Sequence, residues 1–263
     1  MTTAFTDRTA LQTEAYADER PLETRRAIYE YRRPRLDLVG EVVHRLRDIP
    51  AGVVADVGCG SGAYSRALRE ARPDLTVLAV DLSPGMIAHT GPPGLVADAM
   101  ALPLADDSCS AVLALHMLYH VPDPAAAVAE YARVLKSNGS CLIIGNGPED
   151  KVEFNQVWAR ASRDVTGQDG DGIFGPSILR FGDMDALARN AFPVVERVEY
   201  FGTTTVPDPA PVIAFIDSTR HLSGSPTFDA VRDRAAEIVT ETVAREGSFT
   251  FTNHIGVIRA LPC

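Results

Sequence analysis

The chain has 263 residues, 46% of them apolar and 23% charged, with 25 lysines and arginines against 35 aspartates and glutamates for a formal charge of −10. That composition is globular and long enough to bury a sizeable core. It contains no apolar run of roughly 18 residues to span a bilayer, and its acidic balance argues against a surface built for nucleic-acid phosphates.

The N-terminal MTTAFTDRTALQTEAYADER lacks the apolar stretch of a signal peptide. Cys59, Cys109, Cys141 and Cys263 show no CxxC spacing, so reduced thiols in a cytoplasmic protein are expected, with neither zinc nor disulfides. Thr9 to Arg47 reads as helical and brings Tyr29, Tyr31, Arg32, Arg33, Leu36 and Val39 close together. Val53, Val54, Ala55 and Val57 then read as a short buried strand, Gly58, Gly60 and Gly62 as the turn after it, and Ala63 to Arg69 as a helix.

Glycines at such a turn let a ligand approach the backbone and face the N–H groups at a helix start. Gly58-x-Gly60-x-x-Ala63 taken alone satisfies the dinucleotide fingerprint, whose pyrophosphate rests on the helix N-terminus. Asp56, two residues before the first glycine, would repel a pyrophosphate and attract a cation such as the sulfonium and ammonium of S-adenosylmethionine. A strand-end Asp satisfied by the loop's own N–H groups is the structural alternative.

Further strands are predicted near 76–80, 94–97, 111–115 and 140–145, alternating with helical segments, which implies a parallel sheet with helices on both faces. FNQVWARASRDV is helical in pattern and GQDGDGIFGPS reads as a loop. A helix over Asp183 to Asn190 precedes the strand VVERVEYFGTTTV, and FTFTNHIGVIRAL is another strand near the C-terminus. Between those two, Pro207 to Gly247 is too long for a turn and is patterned as helices.

These stretches resemble the class I S-adenosylmethionine-dependent methyltransferases, whose first motif is an acid followed by Gly-x-Gly-x-Gly. Here it reads Asp56-Val57-Gly58-Cys59-Gly60-Ser61-Gly62, and the resemblance continues in order through TVLAVDLSPGMIAHT, LVADAMALPLADDSCSAVLALHMLYHVPDP and EYARVLKSNGSCLIIGNG, about Ala51 to Gly147. It implies a Rossmann-like sheet, mostly parallel, of seven strands with an antiparallel terminal hairpin. Residues 1–48 would form a helical segment over the cofactor. Residues 49–263 would form the core, with helical cap insertions at about 148–180 and 207–247.

The resemblance places S-adenosylmethionine against Asp56, Gly58, Cys59, Gly60 and Gly62. An acid about 20 residues beyond a glycine loop is placed to accept both ribose hydroxyls, which assigns Asp81, with Leu82 beside it. Capping the helix near Pro84 is the other reading of Asp81, a task Ser83 would serve as well. Asp98 is expected at the adenine amino group, with Ala99 and Met100 near the ring. Met86 reads equally as core or as an adenine contact. An Arg of the N-terminal segment, Arg33 rather than Arg32, is expected at the methionine carboxylate, solvation being the alternative.

Open α/β sheets bind ligands at the carboxyl ends of their strands, which puts His116, Tyr119 and His120 beside the transferred methyl. Methyl transfer from a sulfonium is an in-line displacement, and a hydroxyl acceptor must also lose a proton, for which imidazole titrates in the useful range. His120 is the expected base and His116 the second candidate or a cofactor contact; Tyr16, Trp158, Arg180 and His254 are candidate pocket walls. The leading expectation is methyl transfer to an oxygen or nitrogen of a small molecule in bacterial specialised metabolism. A cofactor-binding, regulatory or cyclase-like protein on the same scaffold is the alternative, together with a tRNA or other nucleic-acid methyltransferase. Against the last, the chain reads His116-Met117-Leu118-Tyr119 where an Asn/Asp-Pro-Pro-aromatic signature would follow the fourth strand.

Overall fold

The computed structural model describes residues 6–16, 20–170, 172–173, 179–223 and 225–262. Its strands are β1 (Arg32–Arg33), β2 (Gly52–Val57), β3 (Leu75–Asp81), β4 (Gly94–Val96), β5 (Cys109–Leu115), β6 (Leu135–Asn146), β7 (Val194–Val206) and β8 (Phe249–Leu261). Its α-helices are α1 (Arg8–Ala10), α2 (Arg20–Ala27), α3 (Leu38–Arg45), α4 (Ala63–Ala71), α5 (Pro84–Ile87), α6 (Pro124–Val134), α7 (Val152–Thr166), α8 (Phe181–Ala191), α9 (Pro209–Asp217), α10 (Arg220–Ser223) and α11 (Phe228–Glu246).

The strands form one mixed sheet in the order β1-β7-β8-β6-β5-β2-β3-β4. β2 pairs in parallel with β3 and β5, β3 with β4, and β5 with β6, whereas β8 runs antiparallel to β6. Thr204 meets Asn253 and Thr205 meets Thr250, contacts that run in opposite chain directions and mark β7 and β8 as the antiparallel pair at this end. The sheet has eight strands rather than seven, because Arg32 and Arg33 pair antiparallel with Thr204 and Thr203. The extra strand also corrects the continuous N-terminal helix. Pro34 disfavours helical backbone at the residue before it, so the chain turns extended at Arg32–Arg33 and regains a helix only at Leu38.

The chain divides into two compact units. One comprises 1–36, 149–178 and 200–254, and the other 37–148, 179–199 and 255–263. The second unit holds β2 to β6, the start of β7 and the end of β8. All seven residues of β5 are buried, as expected of a parallel strand covered on both faces. Helix starts follow local chemistry: Ser83 accepts from Met86 N–H with Pro84 next, and Asp123 accepts from Ala126 N–H with Pro124 next. Residues 37–48, including α3, group with this unit rather than with the segment before them.

The first unit is built around an apolar cluster that includes Phe154, Trp158, Phe215, Phe228 and Phe251. Phe154 sits at its centre, with ring centroids of Phe215, Phe251 and Phe249 4.8, 4.9 and 5.3 Å away. Residues 149–178 and 207–247, most of the two expected insertions, fall in this unit. The segment 207–247 is helical, as its pattern predicts, through α9, α10 and α11. Part of GQDGDGIFGPS, and Cys263, lie outside the described residues.

Candidate functional site

In the second unit β2 delivers the chain into a loop whose three glycines adopt left-handed backbone: Gly58 at φ 66°, Gly60 at 55° and Gly62 at 80°. Side chains disfavour that region, so glycine is the residue that adopts it at least cost. Cys59 N–H donates to the Val80 carbonyl (3.0 Å) and fastens the loop to β3, while its buried thiol is pushed far above the ordinary cysteine range. Gly62 precedes α4 without a side-chain cap, and Ala63 to Ala71 continue as the expected helix.

Asp81, at the end of β3, closes the loop from the other side. One carboxylate oxygen accepts from Gly60 N–H (2.9 Å) and the other from Ser83 N–H (2.8 Å). The residue is half-buried, and burial raises its carboxyl pKa against the opposing pull of those N–H donors. Ser83 supplies the cap of α5, the task that was the other reading of Asp81. Met86 on α5 is fully buried, and Leu82 is half-buried.

Asp56 takes a different position from the one its spacing suggests. It is 1% exposed, and its Oδ2 accepts the Ser65 hydroxyl of α4 at 2.6 Å. Burial pushes its carboxyl up to about 6, with Ser65 opposing the shift. The carboxylate therefore braces the loop from behind, strand to helix, and is not part of a solvent-facing anionic wall. Ser65, absent from the sequence reading, left one signal: it lies three residues before Leu68 on the buried stripe of α4.

Asp98 lies in a tight turn after β4, half-buried, with Oδ1 accepting from Met100 N–H (3.0 Å) and its carbonyl from Ala101 N–H (3.0 Å). Ala99 is buried and Met100 half-buried beside it.

β5 ends at Leu115, and His116 follows in left-handed backbone at φ 57°. Strain of this kind in a non-glycine residue persists only where the surroundings hold it. Here His116 N–H donates to the Ile144 carbonyl of β6 (2.9 Å). Met117 then packs into the space left by the missing side chain of Gly58: a Cβ there would fall 2.6 Å from Met117 Cβ. The buried Tyr131 hydroxyl donates to Met117 Sδ at 3.6 Å. A short 3-10 turn, Leu118–His120, sets the Tyr119 and His120 rings edge to face with centroids 4.6 Å apart. The glycine loop and the histidine segment are thus in direct contact through Gly58 and Met117, a link no local pattern announces.

The remaining candidates lie elsewhere. Arg33 belongs to the first unit and is exposed, its guanidinium donating to the carbonyls of Glu30 and Arg32. Trp158 and His254 are buried in that unit, and Tyr16 sits under the Arg25 guanidinium. Arg180 is exposed at the start of α8 in the second unit. A cavity of about 200 Å³ lined by Ile49, Ser137, Asn138, Ser140 and Arg259 lies at the amino ends of the strands, opposite the glycine loop. Among the described residues no group of three or more His, Cys, Asp or Glu is placed to hold a metal ion, and no helix is long and apolar enough to cross a membrane.

Comparison with known proteins gives a consistent picture. Residues 55–143 match the profile of a methyltransferase domain. An uncharacterised methyltransferase of Mycobacterium tuberculosis strain H37Rv is 32% identical over 152 residues, 56% of this chain and 60% of that protein. A malonyl-[acyl-carrier protein] O-methyltransferase of Hahella chejuensis is 32% identical over 112 residues, 40% of each chain. The match thus spans about 60% of the length of the mycobacterial relative and less of the other. Among solved structures, a putative methyltransferase from an antibiotic biosynthesis pathway of Anabaena variabilis superposes with a TM-score of 0.61 at 17% identity, over 84% of this chain and 95% of that one. At that identity the likeness establishes the shared fold.

Proposed function

Because the chain belongs, through its methyltransferase domain at residues 55–143, to the class I S-adenosylmethionine-dependent methyltransferases, we propose that it transfers a methyl group to an oxygen or nitrogen of a small molecule. The observation that carries this reading is the Gly58–Gly62 loop tied to Asp81 through Gly60 N–H, with the Asp98 turn and the His116–His120 segment following at successive strand ends. The donor set fits the cofactor. Asp81 is acceptor-only and half-buried, and its carboxylate, with about four lone-pair sites and backbone N–H groups of Gly60, Leu82 and Ser83 upon it, keeps acceptor capacity for a ribose hydroxyl. Asp98 offers an acceptor to an exocyclic amine, with Ala99 and Met100 beside it.

When bound, the cofactor supplies the electrophilic methyl of its sulfonium. The chain's own residues then have two tasks. The left-handed glycines keep side chains out of the loop so that backbone can approach the cofactor, and Met117, lodged against Gly58, holds the His116–His120 turn in register with it. His120, through an imidazole nitrogen, takes the proton that a hydroxyl acceptor must lose, and His116 is held by the strained start of that turn. Asp56 stiffens the strand-to-helix connection. An oxygen acceptor is supported by the Hahella relative, which methylates at oxygen. The formal charge of −10 disfavours a nucleic-acid acceptor, and the location consistent with this reading is the cytoplasm.

The test is turnover. Full-length protein incubated with S-adenosylmethionine and a panel of small phenols, alcohols, amines and carboxylic acids should form S-adenosylhomocysteine with at least one acceptor. Tight cofactor binding without product across the panel and across tRNA would favour the cofactor-binding alternative.

A further inference from the structure

A group of buried charges in the first unit takes no part in the chemistry above. Asp150 and Lys151, in the turn before α7, form an ion pair whose side chains are each only 3% exposed. Lys151 is held in left-handed backbone at φ 57°, its N–H donating to the Thr252 carbonyl, and the second oxygen of Asp150 accepts His254 N–H at 3.1 Å. The Lys151 ammonium faces the rings of Tyr29 and Phe215, 5.3 and 6.0 Å from their centroids. Burial works against its charge, but Asp150 and Tyr29 hold it above the ordinary lysine range.

Arg32 adds a second buried cation. It is 3% exposed and lies flat on β7 at Gly202, where a Cβ would fall 2.8 Å from its Cζ. Its terminal nitrogens donate to the carbonyls of Pro34 (2.5 Å) and Phe201 (3.2 Å), and its Nε has no partner. Among the described residues no carboxylate pairs with Arg32, and Asp150 is the acid that acts on it from a distance. The next acid in sequence, Glu153, bonds both oxygens to Thr252.

Two cations therefore share one carboxylate, leaving one positive charge in excess in a buried place, an arrangement that is costly unless an anion completes it. A second unsatisfied donor stands on the same face. Asn253 is fully buried, its Oδ1 accepts from Thr204 Oγ1 at 2.6 Å, and Thr204 is the β7 residue opposite Arg32; Asn253 Nδ2 has no partner. Tyr29 is the member of the group that reaches solvent, half-buried at the edge of the aromatic cluster. Lys151 can only donate, so the Tyr29 oxygen serves it as acceptor and the phenolic proton remains for another partner. Burial raises the Tyr29 pKa and keeps that proton in place.

We propose that Tyr29, Arg32, Lys151 and Asn253 form a receptor for a ligand carboxylate carried on an apolar or aromatic body. The charge selects the class: a monoanion balances the single excess cation, whereas a phosphate dianion would leave a buried negative charge. The apolar body follows from Tyr29 and Phe215, the rings that face Lys151. The carboxylate site lies within the first unit and does not depend on the methyl-transfer reading.

The experiment uses the full chain labelled with ¹³Cζ-tyrosine, with and without S-adenosylhomocysteine, titrated with benzoate, its neutral counterpart benzamide, and inorganic phosphate. Benzoate should shift the Tyr29 resonance, assigned by its loss in Tyr29→Phe, in a saturable manner, with benzamide and phosphate at least about tenfold weaker, as expected where a charge-assisted contact is lost. Tyr29→Phe should weaken benzoate by a similar factor, read on backbone amides. Asn253→Asp, nearly isosteric, supplies the missing anion from within and should abolish benzoate binding while the chain stays folded. Equal affinity for benzoate and benzamide, no saturable shift at Tyr29, or unchanged benzoate binding in Asn253→Asp would overturn the proposal. Benzoate binding without any S-adenosylhomocysteine binding would uphold this site and sink the methyl-transfer reading; the reverse pattern would do the opposite.

Discussion

Asp56→Asn tests the claim that the first acid of the glycine-loop motif braces the fold from a buried position. The wild-type carboxyl is pushed up to about 6 from an ordinary value of 3.8 by burial, so the folded state binds its proton more tightly than the unfolded chain does. The sign follows: stability from this group is complete below pH 3.8 and is lost as pH rises through 6. A gap of roughly two pKa units corresponds to about 3 kcal/mol over the whole window, of which roughly half falls between pH 5 and 7.5. Asparagine keeps the shape, can still accept the Ser65 hydroxyl and carries no charge. Urea unfolding, followed by hydrogen exchange of the backbone amides of β2 and β5 at pH 5 and pH 7.5, should show the wild type losing about 1–2 kcal/mol more than the variant on this pH rise. Parallel loss in the two proteins would refute the buried-carboxylate account and return Asp56 to a solvent-facing role.

Ser65→Ala removes the hydroxyl on that carboxylate and should cost about 1.5–3 kcal/mol at pH 7.5 by urea midpoint, the size of a lost hydrogen bond to a charged group, and less at pH 4. Gly58→Ala combines left-handed backbone with a Cβ inside the space of Met117, so it should destabilise the second unit by about 2–4 kcal/mol and weaken S-adenosylhomocysteine at least tenfold by calorimetry. His120→Ala should lower turnover on a hydroxyl acceptor by about 10²–10⁴ with cofactor affinity nearly unchanged. Wild-type turnover in both His120→Ala and His116→Ala would remove histidine from the mechanism and favour a nitrogen acceptor.

The sheet was legible because its central strands are short apolar runs closed by glycine or acid, and because Ser83-Pro84 and Asp123-Pro124 announce their helices chemically. β1 was not legible: two arginines carry no strand signal, and their pairing partners on β7 lie some 170 residues away. The loop glycines, Asp81 and His116 could be placed at strand ends from the apolar runs that precede them. The true surroundings of Asp56 could not, since the helical spacing that marks Ser65 as buried does not say that it meets a carboxylate on the preceding strand. Lys151 and Asp150 were invisible for a plainer reason. Charged residues are presumed exposed, and only tertiary pairing across the turn before α7 and β8 buries them.

The central claim is that the loop and Asp81 together hold S-adenosylmethionine, and isothermal calorimetry with S-adenosylhomocysteine and NAD on wild type and Asp81→Ala tests it most directly. The account predicts micromolar, one-to-one binding of S-adenosylhomocysteine that Asp81→Ala weakens by about 1.5–3 kcal/mol, and no binding of NAD at comparable concentration. Binding of NAD without S-adenosylhomocysteine, or S-adenosylhomocysteine affinity indifferent to Asp81→Ala, would contradict it.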